Sequence, residues 1–237
     1  GTLDCSEAFT NAINLANENG KSIYVPSGKY IINSDLPDIN NGVSIIGDLD
    51  SQHTNNSGNY INDRRESTQK ALFNFTSGNA GGQISNICFQ CYNPDYLNTT
   101  CIKTTQSGWD LRIENCTFLN FDTALDLQEN DTSIINVKIA FCGFDHYAFI
   151  NNTNACFVFG LHIEHCRLML YQPNIYTFGV RYVACKFEQS TFLAKRNKLS
   201  PIVINGYNQY QPATFECCNF YFLDYTALIN PSDTLND

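Results

Sequence analysis

A short phrase with a cysteine near its end recurs five times between residues 111 and 220. The copies alternate apolar and polar residues and return at intervals of about 25 residues, a period typical of solenoid proteins. Alternation with a period of two indicates β-strands that bury one face. The repeat therefore predicts a stack of short strands. The copies are LRIENCTF (111–118), VKIAFCGF (137–144), LHIEHCRL (161–168), VRYVACKF (180–187) and ATFECCNF (213–220).

The phrase also predicts which side chains face inward. Between the copies lie short β-branched and aromatic runs divided by Asn, Asp and Gly, which are too short for the units of a helical solenoid. A parallel β-helix satisfies this pattern, because each strand pairs with its equivalents in the coils above and below, roughly 4.8 Å away. The predicted inward residues are Leu111, Ile113, Cys116 and Phe118 in the first copy, and Ile84, Ile87 and Phe89 in an earlier copy without the cysteine.

The cysteines are predicted to be buried thiols. The chain has eleven of them, an odd number, and its length does not require disulfides for a stable core. Side chains in stacked strands run parallel, which is awkward for a disulfide bridge. A few bridges involving Cys88, Cys91 and Cys101 stay open as the alternative. The cysteines of the phrase are predicted to form one internal ladder of Cys116, Cys142, Cys166, Cys185 and Cys218.

Composition narrows the class of partner. The chain is 43% hydrophobic, only 16% charged, and carries a net charge of −9. An acidic chain without runs of Lys and Arg is not expected to bind nucleic acid. No apolar stretch approaches the roughly 20 residues that span a bilayer, so we expect no membrane insertion.

The first thirty residues predict a cap for the β-helix. Asp4 and Glu7 have the spacing of a capping box, and apolar residues then follow at helical intervals up to Asn19 and Gly20. A strand, a Pro-Ser-Gly turn and a second strand come next. We predict a capping helix and first strand pair over 1–34, and coils over 35–237. The apolar face comprises Ala8, Phe9, Ala12, Ile13, Leu15 and Ala16.

This N-terminal stretch, DCSEAFTNAINLANENGKSIYVPSGKYII, resembles the start of the pectate-lyase-like superfamily. The resemblance rests on the helix core and on the P-x-G-x-Y-x-I strand pattern that follows it. It implies an all-β fold, a single-stranded right-handed parallel β-helix with an N-terminal capping α-helix. Many members are phage tailspikes and other polysaccharide-degrading proteins. The matching residues are Ala12, Ile13, Ala16, Gly20, Val25, Pro26, Gly28, Tyr30 and Ile32.

Function must come from outward side chains, because the interior of the coils is packed. If the five copies stack on one another, their second positions form a basic column and their fourth positions an interrupted acidic column. Such columns either neutralise each other on a solvated face or line a polysaccharide groove. The second positions are Arg112, Lys138, His162, Arg181 and Thr214, and the fourth are Glu114, Ala140, Glu164, Val183 and Glu216.

Glycoside hydrolysis requires two carboxyl groups. In one column Glu114 and Glu164 would lie two coils apart, roughly 9.6 Å, close to the limit for inverting hydrolases. Asp126 and Asp145, in segments after the phrase, complete the predicted catalytic candidates. The similar segments FDTALDL, FDHYAFI and LDYTALI also suggest a turn column of Asp122, Asp145 and Asp224 that caps backbone N–H groups.

The phrase LHIEHCRL is similar to the I-D-H phrase of pectate lyases, in which the acid binds calcium. The match would make Glu164 a ligand. If Ala140 and Val183 are its neighbours in the column, no second ligand is present. We therefore predict no metal and no cofactor, and hydrolysis ahead of elimination.

Two further tyrosines are predicted to bind sugar. Residues 205–212, NGYNQYQP, interleave Tyr207 and Tyr210 with amides, and tyrosine faces stack on sugar rings while amides bond hydroxyl groups. A contact between subunits is the open alternative for this loop. The complete set of predicted substrate-binding residues is Arg112, His162, Arg181, Tyr207 and Tyr210.

These features predict a segment of a tailspike-like protein that binds and hydrolyses a bacterial capsule or O-antigen. Its expected location is the phage virion or the extracellular space, and its expected assembly is a homotrimer that covers outer apolar residues such as Phe141, Val183 and Tyr221. A carbohydrate-binding spike without activity, a polysaccharide lyase and an adhesion module with a protein ligand are the alternatives.

Overall fold

The computed structural model describes most of the chain as stacked coils behind one helix. The described residues are 3–40, 42–48, 58–66, 70–77, 81–92, 98–105, 110–128, 131–173, 179–189, 200–204 and 213–221. Within them, every strand of the three sheets pairs in parallel with its equivalents in neighbouring coils. The protein is therefore a right-handed parallel β-helix with a capping helix, as predicted.

Each of the first seven coils contributes one strand to each of three sheets, and the described part of the eighth coil contributes to two of them. Sheet 1 contains β1 (Ile23–Val25), β4 (Ile45–Gly47), β7 (Gln83–Ser85), β10 (Leu111–Glu114), β13 (Asp131–Ile135), β16 (Ala155–Phe159), β19 (Gly179–Val183) and β22 (Thr214–Glu216). Sheet 2 contains β2 (Gly28–Ile32), β5 (Asn59–Asp63), β8 (Cys88–Cys91), β11 (Thr117–Leu119), β14 (Lys138–Ala140), β17 (His162–Cys166), β20 (Lys186–Gln189) and β23 (Asn219–Tyr221). Sheet 3 contains β3 (Ile39–Asn40), β6 (Phe73–Ser77), β9 (Thr100–Thr104), β12 (Thr123–Leu127), β15 (Phe149–Asn151), β18 (Leu170–Gln172) and β21 (Ile202–Ile204).

The capping helix α1 (Ser6–Asn19) closes the first coil. Phe9, Ile13 and Ala16 are buried against the coils, whereas Leu15 is exposed. The predicted capping box does not form, because the N-cap residue is Cys5 and makes no side-chain cap hydrogen bond. Asp4 instead accepts hydrogen bonds from the Ser6 N–H at 2.9 Å and the Ser6 hydroxyl at 2.6 Å.

The two strands predicted in the first coil are present, but they belong to different sheets and are joined by a bend. β1 pairs with β4 in sheet 1, and β2 pairs with β5 in sheet 2. Pro26 and Ser27 separate the two strands, and proline is suited to this bend because it has no N–H to donate to a ladder. The predicted capping helix is confirmed. The predicted strand pair corresponds to the two strands on either side of one corner of the first coil.

The five copies of the phrase occupy two sheets. β10, β19 and β22 lie in sheet 1, whereas β14 and β17 lie in sheet 2. In every copy the residue before the conserved cysteine has a positive φ, so the phrase is a strand followed by a left-handed corner residue. Both corners of a coil use the same device. The corner residues of the five copies are Asn115, Phe141, His165, Ala184 and Cys217.

The single cysteine ladder is consequently wrong. Sheet register places Cys116, Val137, Leu161, Cys185 and Cys218 in one inward column and Phe121, Cys142 and Cys166 in another. All eleven thiols are free, and eight of them are buried. Burial raises the pKa of the Cys116 and Cys166 thiols to about 12, which makes them unreactive apolar residues.

The remaining inward residues form one core that extends from α1 to β21. The predicted inward residues of the first copy and of ISNICF are all buried. Rings stack along the core, with Phe89 and Phe118 at 5.1 Å and Phe187 and Phe220 at 5.2 Å between centroids. Within the described residues, no helix has the length and hydrophobicity needed to cross a bilayer.

Candidate functional site

The outer face of sheet 2 brings together charged side chains from three consecutive coils. Lys138 pairs in register with His162, and His162 with Lys186. In the adjacent column Glu164 pairs with Glu188. Outward residues at the same register position lie about 4.8 Å apart in a parallel sheet. These five side chains form the candidate site.

The two carboxylates of the candidate site are held by ion pairs. Lys138 Nζ lies 2.6 Å from Glu164 Oε1, and Lys186 Nζ lies 2.6 Å from Glu188 Oε2. His162 Nε2 lies 3.2 Å from Glu164 Oε2. The Glu164 side chain is 17% exposed and that of Glu188 is 35% exposed. Both carboxylates are thus positioned and still reachable from solvent.

The surroundings set the charge of His162 and Glu188. Burial lowers the pKa of the His162 imidazole, more strongly than the charge of Glu164 raises it. The hydrogen bond from Lys186 lowers the pKa of the Glu188 carboxyl. At neutral pH the site therefore holds a neutral imidazole and an ionised Glu188.

The same residues form the group among the described side chains that could hold a metal ion. One ligand atom from each of His162, Glu164 and Glu188 lies within 4.8 Å of the others. The neighbour of Glu164 in the next coil is Glu188 and not Val183, so a second acidic ligand is present after all. However, Lys138 and Lys186 already neutralise the carboxylates, and a divalent cation would have to displace both ammonium groups.

Aromatic rings border the candidate site. Tyr221 follows Glu188 in the outward column, and Lys186 Nζ lies 5.3 Å from its ring centroid. At the adjoining corner, Phe141 and His165 stack with their centroids 4.9 Å apart. Phe141 and Tyr221 are exposed, so the parts of each ring that His165 and Lys186 leave uncovered can contact a ligand.

Glu114 lies away from this site. It belongs to sheet 1, where Arg112 Nε is 2.8 Å from its Oε2 and the Gln83 amide donates a hydrogen bond to it. The predicted column that contained both Glu114 and Glu164 does not exist, because the copies that carry them stand on different sheets. The two residues lie two coils apart, as predicted, but on different sheets, so the predicted separation of roughly 9.6 Å within one column is wrong.

The other two predicted catalytic acids lie elsewhere. Asp126 is on sheet 3, where its carboxylate is 2.8 Å from Lys103 Nζ. Asp145 is exposed in the segment between sheets 2 and 3, 3.8 Å from Arg167. The structure thus brings none of Glu114, Asp126 and Asp145 into the group around Glu164.

Of the three predicted substrate-binding residues that the structure describes, only His162 belongs to the candidate site. Arg112 and Arg181 are on sheet 1, and Arg181 forms a bidentate pair with Glu216 at 2.8 and 3.0 Å. Tyr207 and Tyr210 lie outside the described residues, so their role stays a prediction. Asp224, from the predicted turn column, also lies outside them.

Asp122 confirms its predicted turn role. Its buried Oδ1 accepts hydrogen bonds from the backbone N–H groups of residues 144, 145 and 146, at 2.9 to 3.1 Å. Its Oδ2 lies 2.6 Å from His146 Nδ1. Asp145 lies in the turn that Asp122 caps, and its own backbone N–H donates to Asp122. It therefore does not repeat the capping role.

Glu188 is a site residue outside the predicted set, because its segment KFEQS extends beyond the end of the repeated phrase. The segment Lys186-Phe187-Glu188 has the same outward, inward, outward order as His162-Ile163-Glu164. Alignment of these two triplets contains the signal for the neighbouring acids.

Comparison with known proteins agrees with this architecture. The family model described as rhamnogalacturonase A/epimerase, pectate lyase-like, matches residues 1–191. Neither a curated protein nor a solved structure gives a match. The matched residues include the capping helix and both carboxylates of the candidate site. The chain belongs to the rhamnogalacturonase A/epimerase, pectate lyase-like family.

Proposed function

We propose that this protein binds a bacterial surface polysaccharide along sheet 2 and hydrolyses it at Glu164 and Glu188. The observation that carries the proposal is the paired position of these carboxylates in consecutive coils, with ligand atoms within 4.8 Å. Retaining glycosidases use two carboxyl groups about 5–5.5 Å apart. The pair is thus closer to the retaining spacing than to the inverting one that Glu114 had suggested.

The two acids take different roles in this proposal. Glu188, whose pKa is lowered, stays ionised and attacks the anomeric carbon. The glycosidic C–O bond breaks, and Glu164 gives its proton to the departing oxygen. Water then attacks the glycosyl-enzyme ester, Glu164 takes back a proton, and Glu188 leaves as a carboxylate.

Glu164 must carry a proton for the first step. Because its carboxylate is ion-paired with Lys138, the bound sugar has to separate these two groups. The lowered pKa of His162 helps, because a neutral imidazole does not add another cation beside the acid. The exposed faces of Tyr221 and Phe141 provide stacking surfaces for adjacent sugar rings.

The wider setting is part of the same proposal. A tailspike-like protein on a virion or outside the cell would meet such polysaccharides directly. Assembly into a homotrimer would cover part of the outer apolar surface. The net charge of −9 supports a ligand other than nucleic acid.

Glutamine variants test the catalytic pair. Glu164→Gln and Glu188→Gln keep the shape of each side chain but remove the acid, and each is expected to lower kcat at least about 100-fold. Glu216→Gln is the matched control, because it changes an exposed acid on sheet 1 and should leave turnover unchanged. The readout is new reducing ends from a polysaccharide that the wild type shortens. Full turnover in both variants would contradict the assignment.

A carbohydrate-binding spike without activity is the second candidate. It is favoured by the lysine paired to each carboxylate, since such pairs also stabilise a purely structural surface. Binding without any shortening of the polymer would identify it. Formation of unsaturated uronate ends would instead identify a lyase.

A further inference from the structure

A polar cavity of about 340 Å³ lies at the corner after sheet 2, in the first two coils. Residues Asn33, Ser34 and Asp35 follow β2 and form one side. Residues Arg64, Arg65 and Glu66 follow β5 and form the other. From β5 to β17 there are four strand steps of about 4.8 Å, so the cavity lies roughly 19 Å from Glu164 along the same sheet.

The base of the cavity is rigid. Arg65 is 2% exposed, and its guanidinium donates to both carboxylate oxygens of Asp63 at 2.9 Å. It also donates to Asp35 Oδ1 at 2.9 Å and to the Lys70 carbonyl at 3.0 Å. A side chain held by this many charge-assisted hydrogen bonds is fixed in position and supports the wall of the cavity.

The opposite wall is anchored to the capping helix. The Ser6 hydroxyl oxygen accepts hydrogen bonds from the N–H groups of Asn33 and Ser34, at 2.9 and 3.2 Å. Ser6 in turn donates to Asp4. The cavity is therefore formed before a ligand arrives, which lowers the entropy cost of binding.

Arg64 has hydrogen-bond donors that are available to a ligand at the cavity. Among the described arginines, the other four each have a carboxylate within 4 Å, whereas Arg64 has none. Its guanidinium carbon lies 5.1 Å from the ring centroid of Tyr92, which is itself exposed. This leaves the fork of N–H donors available at the rim, on the same side of the cavity as the exposed acceptors of Glu66.

The charges favour a neutral ligand. Two guanidinium groups, of Arg64 and Arg65, and two carboxylates, of Asp35 and Glu66, line the cavity. Their charges cancel, so the lining does not attract an anionic sugar, whereas neighbouring hydroxyl groups of a neutral sugar can donate to the carboxylates and accept from the arginines.

We propose that this cavity is a distal subsite for a neutral, hydroxyl-rich sugar unit of the polysaccharide. It rests on the proposed function, because the same polymer would extend from the cavity along sheet 2 to Glu164. The protein then prefers chains long enough to cover roughly 19 Å.

The test is a double variant that keeps the net charge. Arg64→Ala with Glu66→Gln removes one donor group and one acceptor group from the rim. Lys21→Ala with Glu18→Gln is the control, because both residues are exposed at the end of α1 and the pair also keeps the net charge. The probe is a panel of immobilised, purified bacterial polysaccharides, neutral and anionic.

We expect the wild type and the control to bind neutral polymers, and the Arg64/Glu66 variant to bind them at least about tenfold more weakly. Equal binding by that variant, or wild-type binding to anionic polymers only or to none, would overturn the subsite. Binding without shortening of the polymer refutes hydrolysis and leaves the subsite standing. Shortening that the double variant does not impair refutes the subsite and leaves hydrolysis standing.

Discussion

At the scale of residues, the titration of His162 changes the charge of the candidate site as the pH falls. Burial lowers its pKa below the ordinary value of 6.5. Below that pH the unfolded chain takes up a proton at His162 before the folded protein does. The contribution of His162 to stability is therefore fully present above about pH 6.5 and is lost as the pH falls through the folded pKa.

His162→Gln should reduce the acid sensitivity of the protein. We expect its melting temperature to fall less than that of the wild type between about pH 7 and pH 5, because glutamine has no proton to take up. Thermal unfolding of both proteins over this range checks the prediction. Identical falls would show that His162 titrates normally in the folded state.

Alternation of inward and outward residues could be read from the sequence, and so could Glu164 and His162 as outward residues. The repeated phrase alone did not identify the partner acid, because adjacency depends on which sheet a strand joins. Glu114 and Glu164 occupy the same position of the same phrase, yet they stand on sheets 1 and 2. Glu188 lacks the complete phrase and is the actual neighbour of Glu164.

At the scale of elements, left-handed corner residues turn strands into coils. Asn86, Asn115 and Asn136 occupy the corner between sheets 1 and 2 in consecutive coils, all with positive φ. The amide of Asn115 donates to Asn86 at 3.2 Å, and that of Asn136 donates to Asn115 at 3.4 Å. Asparagine suits this corner because it tolerates the left-handed conformation and bonds to its equivalents.

Asn115→Ala tests this corner. We expect a loss of about 2–3 kcal/mol in the free energy of unfolding, from left-handed strain and two amide hydrogen bonds. Asn115→Gly removes the same bonds without the strain and should cost about 1 kcal/mol less. Urea unfolding of the three proteins gives both values. Equal stability of the alanine and glycine variants would contradict the strain component.

The corners also explain why the phrase misled the assignment of coils. The same local sequence, a strand followed by a left-handed residue and then an inward residue, forms both the bend after sheet 1 and the bend after sheet 2. The local chemistry is therefore the same, and only the pairing of whole coils separates the two. The repeated phrase could predict the β-helix, whereas only the structure shows to which sheet each copy of the phrase belongs.

At the scale of the whole molecule, stacking of coils makes one continuous core in which thiols replace apolar side chains. All eleven cysteines are free, and Cys217 is the exposed one. Burial holds the pKa of the Cys116, Cys156 and Cys185 thiols at about 12. Thiols that are buried and protonated do not attack thiol reagents.

A thiol titration checks this core. The denatured, unreduced protein is expected to react at eleven thiols, whereas the folded protein at about pH 8 reacts rapidly at Cys217 and slowly at the buried positions. A count well below eleven after denaturation would reveal disulfides and refute the free-thiol core.

The central claim is that the outer face of sheet 2 hydrolyses a polysaccharide. The most direct measurement incubates the protein with purified bacterial capsules and O-antigens, and follows polymer size, reducing ends and the ultraviolet absorbance of unsaturated uronate. We predict shorter chains with new reducing ends, no new absorbance, and loss of both changes in Glu164→Gln and Glu188→Gln. Polymers that bind yet keep their length, or shortening that is unaffected by both variants, would contradict the account.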